Sequence, residues 1–158
     1  MTQGTVVLAG SLPVDRLNLD LLAAEFGWSV KEAACLRSVA ELNADRNLVA
    51  VLFSPFSLAL PWDQALRRVQ DSAPGALPIL CHGFAETIDW PLVAEAGAFH
   101  SLLLPFALGE VRRSLGFVWD AKCRSAVIPI RRHLVVRETE PRPDLSLGAQ
   151  SRQFTQAC

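Results

Sequence analysis

Short, continuously apolar runs alternate along this chain with segments in which apolar residues recur at helical spacing. Thr5–Gly10 is the first run; it ends in glycine and predicts a buried strand. Leu17, Leu21, Leu22 and Phe26 then form the stripe of a helix that Pro13 and Asp15 open and Gly27 stops. Trp28–Glu32 alternates and predicts a second strand. Ser38-Val-Ala-Glu41 has the form of a capping box, in which each side chain satisfies a free backbone donor, and predicts a short helix to about Arg46. Leu48–Phe53 is apolar throughout, as in a strand covered on both faces, and Ser54-Pro55 breaks it. Pro61 suits the first turn of a helix with Leu66 and Val69 inward and Arg67, Arg68 and Asp71 in water. Pro74-Gly75 is a turn and Leu77–Cys81 a fourth strand. Asp89 caps a helix with Pro91 near its start and Gly97 at its end. Phe99–Leu103 is a fifth strand. Ala107 to about Trp119 is a final helix with Leu108, Val111, Leu115 and Val118 on one face.

Strand and helix thus alternate five times. Helical crossovers imply a parallel sheet covered on both faces, and the length suits an α/β, flavodoxin-like three-layer sandwich with strand order 2-1-3-4-5. In such sheets the site lies at the carboxyl ends of the strands. The pattern changes near residue 122. We therefore expect a domain over 1–122 and a C-terminal extension over 123–158. Val127–Ile130 and Leu134–Val136 suit short strands around Arg131, Arg132 and His133, and a mobile end follows from Glu138.

Composition narrows the function classes. With 15 basic against 16 acidic residues the formal charge is -1, which argues against a broad nucleic-acid-binding surface. Mean hydropathy is positive, yet the most apolar run, Leu48 to Trp62, is interrupted by Ser54, Pro55, Ser57 and Pro61 and is too short to span a bilayer. No basic segment precedes the first apolar run, so a cytoplasmic protein with no membrane contact is expected. Cys35, Cys81, Cys123 and Cys158 include no Cys-x-x-Cys pair, which disfavours a zinc knuckle or dithiol centre. Cys81-His82 and His100 sit on neighbouring strands, but no acidic third ligand accompanies them, and packing is the simpler role. Ser54, between Phe53 and Pro55, lacks the glycine-flanked elbow of a nucleophilic serine and suits a turn. Lysine occurs only at Lys31 and Lys122.

Ala96-Gly-Ala98, Ser101-Leu-Leu-Leu-Pro-Phe106 and Leu108-Gly-Glu110 together resemble the end of a response-regulator receiver domain (CheY-like). There the usual run is Ala-Gly-Ala, a short spacer, an apolar pair, Lys-Pro-Phe and a helix start. Leu77-Pro-Ile-Leu resembles that family's fourth strand, and Pro61-Trp-Asp63 with Leu66 and Val69 its third helix. The resemblance covers roughly residues 4–122. It implies a phosphoryl-accepting site built from two magnesium-binding acids, an aspartate nucleophile, a hydroxyl and a lysine.

Carried onto this chain, those positions hold none of these groups. The paired acids fall at Ala9 and Gly10. The nucleophile falls at Phe53 or Ser54, and the hydroxyl at His82 or Gly83. The lysine falls at Leu104 and the aromatic switch at Ser101. The resemblance therefore implies a pseudo-receiver: a non-enzymatic module without cofactor or metal, working in two-component signalling through protein contacts. Its partner would be a signalling kinase or regulator, or a second copy in a homodimer. Receivers commonly meet partners through their last two helices and last strand, which draws in Trp90, Arg112, Arg113 and Trp119. The alternative is a small-molecule-binding or enzymatic domain that reuses the strand-end pocket, with Ser54, Cys81, His82 and Ser101 as polar groups.

Overall fold

Apolar runs of six residues build the centre of a parallel sheet, and their alternation sends successive side chains into two separate cores. The computed structural model describes residues 3–127. Five strands, β1 (Gly4–Ala9), β2 (Trp28–Ala33), β3 (Leu48–Phe53), β4 (Leu77–His82) and β5 (His100–Leu103), pair in the order β2-β1-β3-β4-β5. All pairings are parallel. The helices between and after them are α1 (Arg16–Glu25), α2 (Leu36–Leu42), α3 (Pro55–Leu58), α4 (Trp62–Ser72), α5 (Trp90–Glu95) and α6 (Leu108–Val127). The expected flavodoxin-like architecture is the observed one.

On one face, Val6, Leu8, Ala50, Leu52, Ile79, Cys81 and Leu102 pack beneath α1 (Leu19, Leu22, Ala23) and α6 (Val111, Leu115, Val118). On the other, Val7, Ala9, Val51, Phe53 and Leu80 pack beneath α2 (Val39), α4 (Ala65, Leu66, Val69) and α5 (Val93). Odd and even positions of β1 from Val6 and of β3 from Ala50 divide between the two, as a period of two residues demands, while Leu48 and Val49 take the opposite faces where the β1–β3 register shifts. Each fully buried leucine or valine contributes about 1.5–3 kcal/mol of transfer free energy.

Several local expectations are corrected. The buried stripe of α1 is Leu19, Leu22 and Ala23, while Leu17 and Leu21 face solvent. Four leucines within six positions offer two helical faces, and the sheet takes the one that carries Ala23 and allows close approach. Asp15 caps this helix as expected, accepting from the Asn18 backbone N–H. The second helix begins before the Ser38–Glu41 box. Cys35 is its N-cap residue, and Ser38 lies inside it with its Oγ 3.5 Å from Cys35 Sγ. Residues 55–58, read from sequence as a break, form the short helix α3. Leu108 is half-exposed rather than buried. Helix α6 passes through the expected boundary at 122/123 and ends at Val127, which therefore closes a helix rather than opening a strand. The expected strands beyond it, the Arg131-Arg132-His133 cluster and the mobile end lie outside the described residues.

Candidate functional site

Every strand of a parallel sheet ends on the same side, so the loops after β1, β3, β4 and β5 meet there. They surround a solvent-open cleft of about 610 Å³ lined by Ser11, Leu12, Pro13, Ser54, Phe56, Ser57, Gly83, Glu86 and Leu104. Glu86 is the one charged side chain in this lining among the described residues.

The insertion α3 decides the shape of this cleft. Pro55 starts a single turn directly after β3, and Ala59 ends it in the left-handed region at φ 51°. Ser57 Oγ donates to the Ser11 carbonyl at 2.5 Å, which pins the turn against the β1–α1 loop. Gly10 lies beneath it with φ +82°, and its N–H donates to the Ala33 carbonyl at 2.8 Å. A β-carbon at Gly10 would sit 3.1 Å from Ser57 Cβ and 3.5 Å from Leu58 Cδ2. A side chain at position 10 is thus disfavoured on two counts: the backbone is left-handed, and the neighbour above would have to yield by a few tenths of an ångström.

The positions singled out from sequence divide among three surroundings. Ala9 and Phe53 are register partners across β1 and β3, and both are fully buried in the core under α2 and α4. Ser54, Gly83 and Leu104 line the cleft, so of the two residues considered for the end of β3 it is Ser54 that faces it. The Leu104 N–H donates to the His82 carbonyl at 2.8 Å, and the Leu104–Pro105 peptide bond is cis.

His82 and Ser101 belong instead to a neighbouring hollow of about 440 Å³ beside β5, with His100, Leu103, Glu110, Arg113 and Phe117. Aromatic edges wall this hollow. The His82 and Trp90 rings meet at 4.9 Å and the His100 and Phe117 rings at 5.6 Å, both edge to face. Burial lowers the His100 imidazole from its ordinary range; Glu110 opposes that shift and Arg113 reinforces it.

Cys81 does not join the histidines. Its side chain enters the core under α1 and α6, where burial pushes the thiol far up and its Sγ faces the Ile79 carbonyl. Among the described residues no group of three or more His, Cys, Asp or Glu side chains is placed to hold a metal ion.

The interface residues do not form one patch. Adjacent helical positions are about 100° apart. Arg113 therefore lines the hollow while Arg112 turns toward α1 and pairs with Glu25 at 2.5 Å. Trp90 sits over His82 and joins the Arg113 side. Trp119 lies at the opposite end of the sheet, in a groove of about 430 Å³ with Phe26, Trp28, Val49 and Lys122. Sequence reasoning missed that groove. Its signal was the pair Phe26 and Trp28, whose rings stack at 5.2 Å, beside a glycine at position 4 whose absent β-carbon makes room for the indole.

No protein-family model matches this chain, and no curated protein matches its sequence. Solved structures do. The receiver domain of the TMAO respiratory system response regulator TorR superposes with a TM-score of 0.60 at 20% identity, over 74% of this chain and 98% of that one. A response-regulator receiver domain protein from Clostridium thermocellum gives 0.59 at 16% identity, over 77% and 98%. The signal receiver domain of an HD domain-containing protein from Pseudomonas fluorescens gives 0.58 at 17% identity, over 80% and 94%. At these identities the likeness establishes the fold, which is that of receiver domains. No helix among the described residues is long and apolar enough to cross a membrane.

Proposed function

We propose that this protein is an atypical receiver-like signalling module that acts through protein–protein contact and does not accept a phosphoryl group. The observation that carries this reading is the seating of α3 on Gly10, held by the Ser57–Ser11 hydrogen bond. The paired acids of a working receiver would have to stand there. Around that point, Ala9 and Phe53 are sealed in the core, and Ser54 and Leu104 supply neither an aspartate nor an amine. With no aspartate at the end of β3 and, among the described residues, no basic side chain lining the cleft, the groups that lower the barrier to phosphoryl transfer in a working receiver have no counterpart in this reading. We accordingly read the protein as non-enzymatic and cytoplasmic.

Contact through α5, β5 and α6 is the working surface in this reading. Phe117, 49% exposed, lines the hollow with Arg113, and Trp90, 41% exposed, packs against the His82 ring that also lines it. Exposed aromatic and arginine side chains at a concave surface are the residue types that anchor interfaces. A signalling kinase or regulator, or a second copy of this chain, is the proposed partner.

The test has two parts. Tryptophan fluorescence is titrated with beryllofluoride and magnesium; a flat response is expected, and a saturable one overturns the phosphorylation-independent reading. Trp90→Ala and Arg113→Glu variants are then compared with the parent by light scattering and by affinity capture of a histidine kinase or response regulator. Loss of self-association or of capture supports the surface, and unchanged behaviour in both removes it.

A further inference from the structure

The loops at the carboxyl end of the sheet are charged in one sense only. Residues 10–15, 34–35, 54, 59–61, 83–89 and 104–107 contain Asp15, Glu86 and Asp89 and no lysine, arginine or histidine. Asp15 and Asp89 cap α1 and α5, and both residues are exposed. Glu86 lines the cleft and has no ion-pair partner among the described residues. Beside it, Phe56 in the cleft wall is 84% exposed, and Phe84, next to Gly83 in the facing loop, is 85% exposed. These are the two most exposed large apolar side chains among the described residues. Phe56 comes from α3 and Phe84 from the loop after β4, and the cleft has Leu12, Pro13 and Leu104 in its lining.

An anion is a poor match for this surface, because no cationic side chain among the described residues lines the cleft. A small cation is also a poor match, because it would leave both phenyl rings in water. We infer that the cleft is a docking site for a basic segment of a partner protein. An aliphatic or aromatic side chain of that segment enters between Leu12, Pro13 and Leu104, and a neighbouring lysine or arginine meets Glu86. Phe56 and Phe84 cover its flanks, where an arginine can also lie against a ring face. This surface is distinct from the one formed by α5, β5 and α6, so either can fail without the other.

The test uses the full chain, isotope-labelled, with a fluorescent synthetic peptide that alternates arginine and leucine. A glutamate–leucine peptide and phenethylamine serve as comparisons. The arginine peptide is expected to bind, to shift the Ser11, Ser57 and Gly83 amides, and to weaken with added salt. Glu86→Gln should weaken it about threefold to fivefold. The Phe56→Ala, Phe84→Ala double variant should weaken it about tenfold with little change in Tm, since both rings are solvent-exposed. Trp90→Ala should leave it unchanged. The proposal is overturned if the arginine peptide does not bind, if the glutamate peptide binds equally, or if the variants bind as the parent does. It is also overturned if phenethylamine alone shifts these amides, which would make the cleft a small-amine pocket.

Discussion

The strand-end cleft and the hollow beside β5 are neighbours of comparable size built on different principles. The cleft is shaped by packing and backbone: an inserted turn, a left-handed glycine beneath it, an apolar lining and one carboxylate. The hollow is shaped by titratable and aromatic groups: two histidines, an acid, an arginine and the rings against which the histidines lie. Changes of volume and backbone should therefore disturb the first, and changes of pH and charge the second. The cleft carries hydroxyls and one carboxylate, while the histidines and Arg113 stand in the hollow.

The largest expected effect tests the packed side. Phe53 is fully buried directly below the cleft, and Phe53→Ala should lower unfolding free energy by about 3–5 kcal/mol in urea titrations, equally at all pH values where the fold holds. A pH-dependent loss would show that the cleft floor is coupled to ionisable groups after all. Next comes the turn itself. Ala59 holds φ 51°, and Ala59→Gly should stabilise by about 0.5–1 kcal/mol because glycine adopts that region without a steric cost. A destabilised variant would mean that the Ala59 methyl contributes more packing than its backbone costs.

On the charged side the readout is pH. The His100 imidazole is held below its ordinary value in the folded chain, so the unfolded chain takes up the proton first as pH falls. Stability should be fully present above the unfolded pKa, near 6.5, and should decline as pH drops through that value toward the folded one. His100→Gln should flatten this slope, as followed by urea midpoints at successive pH values. An unchanged slope would assign it to other groups. The smallest effect belongs to the Arg112–Glu25 pair, whose side chains are 61% and 46% exposed. Arg112→Ala should cost less than about 0.5 kcal/mol. A larger loss would mean that this pair clamps α6 to α1.

The sheet was legible because each strand carries its own signal. The apolar runs at 48–53, closed by Ser54-Pro55, and at 77–81, which holds Pro78 between Gly75 and Gly83, are too short for helices of useful length, and Trp28–Glu32 shows its period openly. What stayed hidden had weak or double signals. Four residues of α3 are too few for helical periodicity, and Ser54-Pro55 masks them as a break. The leucines at 17, 19, 21 and 22 support two stripes, and only the sheet chooses between them. The last turns of α6 carry Lys122, Arg124 and Ser125, which conceal the continuation of the helix. At the site, the residue types at the strand ends were readable from the sequence alone. The closure of position 10 was not, because it depends on where residue 57 lands in space. Nor was the separation of Arg112 from Arg113, which follows from helical rotation rather than from nearness in sequence.

The seating of Ser57 over Gly10 also bears on what a substitution there can restore. An aspartate introduced at position 10 would meet both a backbone angle it rarely adopts and the serine above it. Removal of the Pro55–Leu58 turn alone would open the space but restore no acid. Neither change helps without the other, and an acid at Ala9 or Phe53 would be introduced into a sealed interior. An acidic pair at these positions would therefore need the turn and position 10 to change together. The turn acts as a latch on the residue beneath it, one that no substitution at position 10 alone releases.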